Sequence, residues 1–289
     1  MKVWKVAAIA LIGVLALSGS AAAEGEQSYQ WTEGGQQVAL GQMATLDLGG
    51  DFVFLDAENT KKLMTDSNNH PSGQEIGAVF PRDGQAGWEV LFEYEDSGHV
   101  NDDEKAEIDA SAILDAYRKG TENSNKDRPA EERLFVKGWD IAPFYEEQHH
   151  NLTWSMLGED AQKNELVNYN VRLLTRTGYI SAVLVSDPAH RAEDQQVLAK
   201  QILPKLAVAQ GQRYEDFNPS KDKVSKYGLT ALILGGAGLA VAKKVGVLAV
   251  LLVLLKKLWI VLVIGFGVIA RFSKGLMARF RDRPSSRGL

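Results

Sequence analysis

Two periods run along this chain. Between Glu75 and Glu95 apolar residues fall on every second position: Ile76, Ala78 and Phe80, then Trp88, Val90, Phe92 and Tyr94, with Glu89, Glu93 and Glu95 opposite beside Leu91. A period of two is that of a half-buried strand. A second set of alternating runs follows. Leu152, Trp154 and Met156 share a face; Val167, Tyr169, Val171 and Leu173 share another, with Asn168, Asn170 and Arg172 pointing the other way; "GYISAVLV" comes after a turn at residues 175–178. These runs predict a strand meander. Upstream, residues 44–48 and 52–55 around Gly49 and Gly50 predict a hairpin.

The period lengthens to helical spacing at Ala110, Ile113, Leu114 and Tyr117. Asn101, Asp102 and Asp103 suit the start of that helix, because carboxylates and amides satisfy its free N–H groups, and Gly120 suits its stop. "ENTKKLMTD" predicts a short helix. Another runs from Asp187 as cap and Pro188 in the first turn to a kink or end at Pro204. The order predicts an α+β fold, a mainly antiparallel β-sheet with packed helices.

The two ends change the picture. Lys2 and Lys5 precede a twelve-residue apolar run, Val6 to Leu17, and Ala21 and Ala23 follow in the A-x-A pattern. That is the three-part architecture of a secretory signal peptide, residues 1–23, with cleavage after Ala23 the expectation and an uncleaved anchor helix the alternative. At the other end lie three apolar pieces, residues 227–242, 245–255 and 258–270, separated by Lys243–Lys244 and Lys256–Lys257. The stretch from Val245 to Ala270 would measure about 39 Å as a helix, against about 30 Å of bilayer core. Its apolar side chains favour insertion by about 8 kcal/mol, and two central lysines cost about 5–7. One crossing is the expectation, with the lysines snorkelling or facing a partner; three short crossings or a hairpin are the alternatives. Residues 271–289 carry six basic residues against Asp282 and are expected to stay in the cytoplasm.

Charge is split accordingly. Of 32 basic and 37 acidic residues, two lysines lie in the signal, and ten basic residues and one acid lie from Tyr227 onward, which leaves 20 against 36 in residues 24–226. Such an acidic domain repels nucleic acid. There is no cysteine, so disulfides and thiolate metal ligands are excluded. The expected organisation is an exported domain over residues 24–215, a polar tether over 216–226, membrane-associated or transmembrane helices over 227–270 and a basic tail. The implied location is a bacterial inner membrane, with the domain periplasmic.

Candidate chemistry is sparse. G-x-S-x-G, P-loop, G-x-G-x-x-G and H-E-x-x-H patterns are all missing. The row Asn168, Asn170 and Arg172 could line a cleft in which Arg172 takes a carboxylate or phosphate, or could be the wet face of the sheet. The acids from Asp96 to Glu104 could hold a cation, although helix capping accounts for two of them. His149 and His150 are adjacent, and sequence neighbours seldom point at one ion. No cofactor and no metal is expected. Catalytic residues are not assignable.

"PSGQEIGAVFP", "WEVLFEYEDSGHVNDDEKAEIDASAIL", "GWDIAPFYEEQHHNLTW", "NYNVRLLTRTGYISAVLV", "RYEDFNPSKDKVSKYGL" and the "AKK…LKKLW" tail together resemble the bacterial membrane-anchored proteins grouped as domain of unknown function family 2167. The resemblance covers about the whole mature chain. It implies an exported, membrane-anchored protein and carries neither activity nor site residues. The order of meander and helix also looks loosely like the PsbP/Mog1 fold, an analogy that transfers no function. The resulting expectation is a non-enzymatic envelope protein whose domain binds a protein or small ligand and whose tail engages the lipid bilayer and forms homo-oligomers or meets a partner. An envelope hydrolase or metal-assisted enzyme using Arg172, His149 and the Asp96–Asp103 acids is the alternative; a structural, stress-responsive membrane component is a third.

Overall fold

The computed structural model describes residues 29–234, apart from positions 68, 70, 84, 85 and 187. The chain divides into two units, Met1–Leu239 and Ala240–Leu289, and every described residue lies in the first. The signal cleavage site after Ala23, the lysines Lys243, Lys244, Lys256 and Lys257, the helix cap Asp187 and the basic tail lie outside the described residues.

The described residues form eleven strands and four α-helices: β1 (Thr32–Glu33), β2 (Gln36–Leu40), β3 (Ala44–Leu48), β4 (Phe52–Asp56), α1 (Ala57–Asp66), β5 (Glu75–Pro81), β6 (Glu89–Glu95), α2 (Ala110–Ser124), β7 (Leu134–Glu146), β8 (Asn151–Asp160), β9 (Glu165–Leu174), β10 (Tyr179–Val185), α3 (Arg191–Val197), β11 (Leu206–Val208) and α4 (Leu229–Leu234). Eight strands form one sheet in the order β1-β4-β5-β6-β10-β9-β8-β7, and β11-β3-β2 form a small second sheet. Every strand pair in both sheets is antiparallel.

The alternation read along β6 and β8–β10 is realised. Val90, Phe92, Val171, Ile180, Ala182 and Leu184 are buried together with Leu40, Leu46, Leu198 and Ile202. One face of the large sheet therefore packs on the small sheet and on the turns that follow α3. The opposite face meets α1 through Met64, Ala78 and Leu91 and α2 through the Trp139 indole, which donates to the Ala110 carbonyl at 2.9 Å. Fully burying side chains the size of Phe92 or Leu184 stabilises by about 1.5–3 kcal/mol each.

Four expectations are corrected. Residues 44–48 and 52–55 are strands but not a hairpin: β3 pairs with β2 and β11, whereas β4 pairs with β1 and β5. The polypeptide switches sheets at Gly49–Gly50, and the apolar residues of both strands meet in one core between the sheets. The cap of α2 is Asp109, whose Oδ1 accepts from the Ser111 and Ala112 amides at 3.0 Å; residues Asp103–Glu107 form a separate 3-10 turn. Gly120 does not stop α2, which continues to Ser124. The helix expected from residue 187 begins at Arg191, after a turn, and passes into a π-helical turn, Leu198–Ile202, and a 3-10 turn holding Pro204. The α-helical ladder cannot run through Pro204, which lacks an N–H.

Residues 216–226, expected to be a polar tether, are folded onto the domain as part of a strap that runs from residue 213 to residue 227. The Arg176 guanidinium grips Asp222 with two bonds, Nε to Oδ2 at 2.7 Å and Nη2 to Oδ1 at 2.9 Å. His99 and Val224 form a parallel bridge, with His99 N–H donating to the Lys223 carbonyl at 2.8 Å and Ser225 N–H to the His99 carbonyl at 2.7 Å. Gly98 makes this approach possible: its φ is +86°, and a Cβ there would press on the Lys223 carbonyl at 2.8 Å. The strap delivers α4 to α2. Leu229, Leu232, Ile233 and Leu234 are buried, and the Tyr117 hydroxyl donates to the Ile233 carbonyl. The first turns of the apolar tail thus complete the domain's own core. Among the described residues, no helix is long and apolar enough to cross a membrane.

Candidate functional site

Arg172 lies at the centre of β9. The register sets Ser181 of β10 beside it on one side and Leu152 of β8 on the other. Trp154 and Tyr179 are then diagonal neighbours, within reach of a long side chain on the same face. The guanidinium carbon sits 5.2 Å from the Trp154 ring centre and 5.6 Å from that of Tyr179, a distance at which the ring quadrupoles attract a cation. Nη1 donates to the Ser181 hydroxyl. Nε is buried and has no hydrogen-bond partner, and no carboxylate pairs with Arg172 among the described residues. Buried charge is ordinarily paired, so a half-buried guanidinium without an anion stands out.

The surroundings follow from the same face of the sheet. Tyr179 donates to Glu95, and burial pushes its hydroxyl up from the ordinary tyrosine range while Arg172 acts against the rise. Tyr117 reaches in from α2; burial pushes it up to about 12, again opposed by Arg172. Asn168 and Asn170 share the face and are half-buried, with the Asn170 amide donating to the Asn168 carbonyl at 3.0 Å. The row is therefore not an open wet face: helices cover this side of the sheet. Glu89 belongs to it as well. Although only partly buried as a residue, it has an Oε1 cut off from solvent with no partner, and burial pushes its carboxyl up to about 7.

A second cluster lies at the end of the sheet where the strap crosses, and sequence reasoning missed it. His150 holds φ at +50° in the β7–β8 loop, a left-handed conformation uncommon outside glycine. That turns its ring inward, with Nδ1 2.9 Å from the Tyr145 hydroxyl and 3.4 Å from Asp102, and Nε2 3.5 Å from Glu215. Tyr145 donates to Asp102 at 2.8 Å. Burial pushes the Asp102 carboxyl up, but Tyr145, Lys105 and His150 together hold it below the ordinary carboxylate range. The rings of Phe217, His99, Tyr214 and His150 stack in series, with centroids 3.9, 4.4 and 4.1 Å apart. The signal was Tyr214 and Phe217, two aromatics three residues apart in an otherwise polar stretch.

His149 diverges from His150 and pairs with Glu146 at 3.3 Å on the surface. The acids near Asp96–Glu104 are dispersed among separate partners: Asp102 to Tyr145, Asp103 to Asn101, and Glu104 against Gly228. Among the described residues, no three His, Asp or Glu side chains are grouped to hold a metal.

An antiparallel sheet with packed helices, and on it an arginine that pairs with no carboxylate among the described residues, is thus what the sequence encodes. The chain belongs to the family described as "Protein of unknown function (DUF2167)", which matches residues 32–267. Among solved structures, the solution structure of cyanobacterial PsbP (CyanoP) from Synechocystis sp. PCC 6803 is similar at 8% identity and a TM-score of 0.36, covering 66% of this chain and 99% of that one. No curated protein matches.

Proposed function

We propose that this chain is a membrane-anchored envelope protein whose exported domain is a non-catalytic binding module, and that the module takes a small anion, a carboxylate or phosphate, at Arg172. The observation that carries the binding is the guanidinium itself: held between Trp154 and Tyr179, with Nε unpartnered and no carboxylate paired with it among the described residues. A planar fork with free donors recognises a planar or tetrahedral oxyanion. The anchor rests on the sequence, on the signal-like start and the apolar run Val245 to Ala270. In this reading the tail keeps the module at the bilayer, where it meets a ligand or passes a bound one to a protein partner.

The test is thermal melting of the full-length protein in non-ionic detergent, with inorganic phosphate and with citrate. A hundredfold excess over Kd stabilises by about 2.7 kcal/mol, about 5–10 °C for a domain of this size. Arg172→Met should remove the response and Arg172→Lys should weaken it. General salting-out by phosphate raises both proteins equally, so the difference between them is the signal. Equal shifts in wild type and Arg172→Met, or no shift in wild type with either anion, would overturn the proposal.

A further inference from the structure

The strap over residues 213–227 is held by groups that answer differently to acid. His99 is the keystone. Its backbone makes both bridge bonds to the strap, and its ring is clamped between Phe217 and Tyr214, both carried by the strap. The residue is 8% exposed, and Nδ1 is buried with no hydrogen-bond partner. A neutral imidazole leaves an unshared lone pair there at modest expense. A protonated one would place a charged N–H donor there with nothing to receive it, which is far more costly.

The groups around the ring do not remove that penalty. From the strap side, Asp222 is committed to the Arg176 fork and to the Asn218 amide at 2.7 Å, and the Arg176 fork holds its carboxyl low. Lys223 contributes its carbonyl to the His99 amide. From the loop of His99 itself, Asp102 is engaged by Tyr145 and faces His150. From the β9–β10 turn, the Thr175 and Arg176 backbone and the two carboxylates favour a charged ring, but burial outweighs them and His99 titrates below the ordinary histidine range. Across Tyr214, His150 stacks on the other face of that ring, with Asp102 and Glu215 beside it.

We propose that the strap is a proton-released latch, closed while His99 is neutral and opened when His99 is protonated, so that mild acidification frees the segment joining the domain to its apolar tail. The closed strap seats α4 on α2. The open strap becomes a tether of about fifteen residues, able to span a few tens of ångströms. Acid would thereby change residues 213–227 from a folded strap to an extended one.

Hydrogen exchange of the full-length protein in detergent tests this. After correction for intrinsic rates, protection of the 213–227 amides should fall about tenfold or more between about pH 7.5 and pH 5, while β9 and β10 keep theirs. The midpoint should lie below about 6.5, the ordinary histidine value. His99→Phe, which stacks but cannot be protonated, should keep the strap protected at both pH values; His99→Gln serves if the larger ring disturbs folding. Asp222→Asn should lower protection at both. Wild-type protection that is independent of pH, or the same acid loss in both His99 variants, would overturn the latch. Unchanged protection in Asp222→Asn would do so as well.

Discussion

Leu232→Ala puts the assignment of α4 to the domain core under strain. Leu232 is 3% exposed, in α4, whose described residues Leu229–Leu234 are held by α2 and by the Tyr117 bond to Ile233. Truncating a buried leucine removes its transfer free energy and leaves a cavity, in all about 2–5 kcal/mol. That is a large part of a typical stability of about 5–15 kcal/mol. At about 2–4 °C per kcal/mol for a domain of this size, a central value of 3 kcal/mol lowers Tm by about 6–12 °C. The assay is thermal unfolding of the full-length protein in detergent followed by circular dichroism, with Val224→Ala as reference. Val224 is 54% exposed, and its truncation should change stability by about 0.5 kcal/mol or less. If Leu232→Ala melts with Val224→Ala, the first turns of the tail are not part of the core and the reasoning fails.

Two further outcomes follow from the geometry. Glu89 has its folded-state carboxyl raised to about 7; its stabilising contribution is complete below the ordinary glutamate value and is lost as pH rises through 7. Between pH 5 and pH 8 wild type should lose about 2 kcal/mol that Glu89→Gln keeps, and parallel urea-denaturation profiles against pH would refute this. A Cβ at Gly178 would overlap the Glu95 carbonyl, whereas one at Gly120 meets nothing. Gly178→Ala should therefore cost about 3 kcal/mol or prevent folding, and Gly120→Ala, inside α2, should stabilise by about 0.5–1 kcal/mol. Melting curves that rank the two the other way would contradict the packing.

What could be read in the sequence was whatever a period of two or of 3.6 decides locally. The alternation in β6 assigned Val90 and Phe92 to one face and Glu89, Leu91 and Glu93 to the other, and β9 was read equally well. Where a strand goes is a different matter. β3 and β4 look like a hairpin around two glycines, yet β3 takes as neighbour β11, whose residues Leu206–Val208 lie far away in sequence. Nothing local distinguishes the two choices. The strap was hidden by its composition: its charged residues are those of a linker, but Arg176 and Asp222 satisfy each other, and only tertiary register reveals that. α4 was obscured for the converse reason, since leucines and isoleucines suit a protein core and a bilayer alike. Arg172 could be placed on the correct face with Asn168 and Asn170. The ring faces of Trp154 and Tyr179 around it depend on strand pairing, and so does the lack of a carboxylate.

The most direct test of an exported domain held by a tail that crosses the membrane uses the absence of cysteine. Single cysteines at Ser220, in the strap, and at Ser286, in the basic tail, are exposed to a membrane-impermeant maleimide in intact spheroplasts. The account predicts that Ser220→Cys is labelled and that Ser286→Cys is labelled only after permeabilisation. Labelling of both in intact spheroplasts, or of neither, would contradict it.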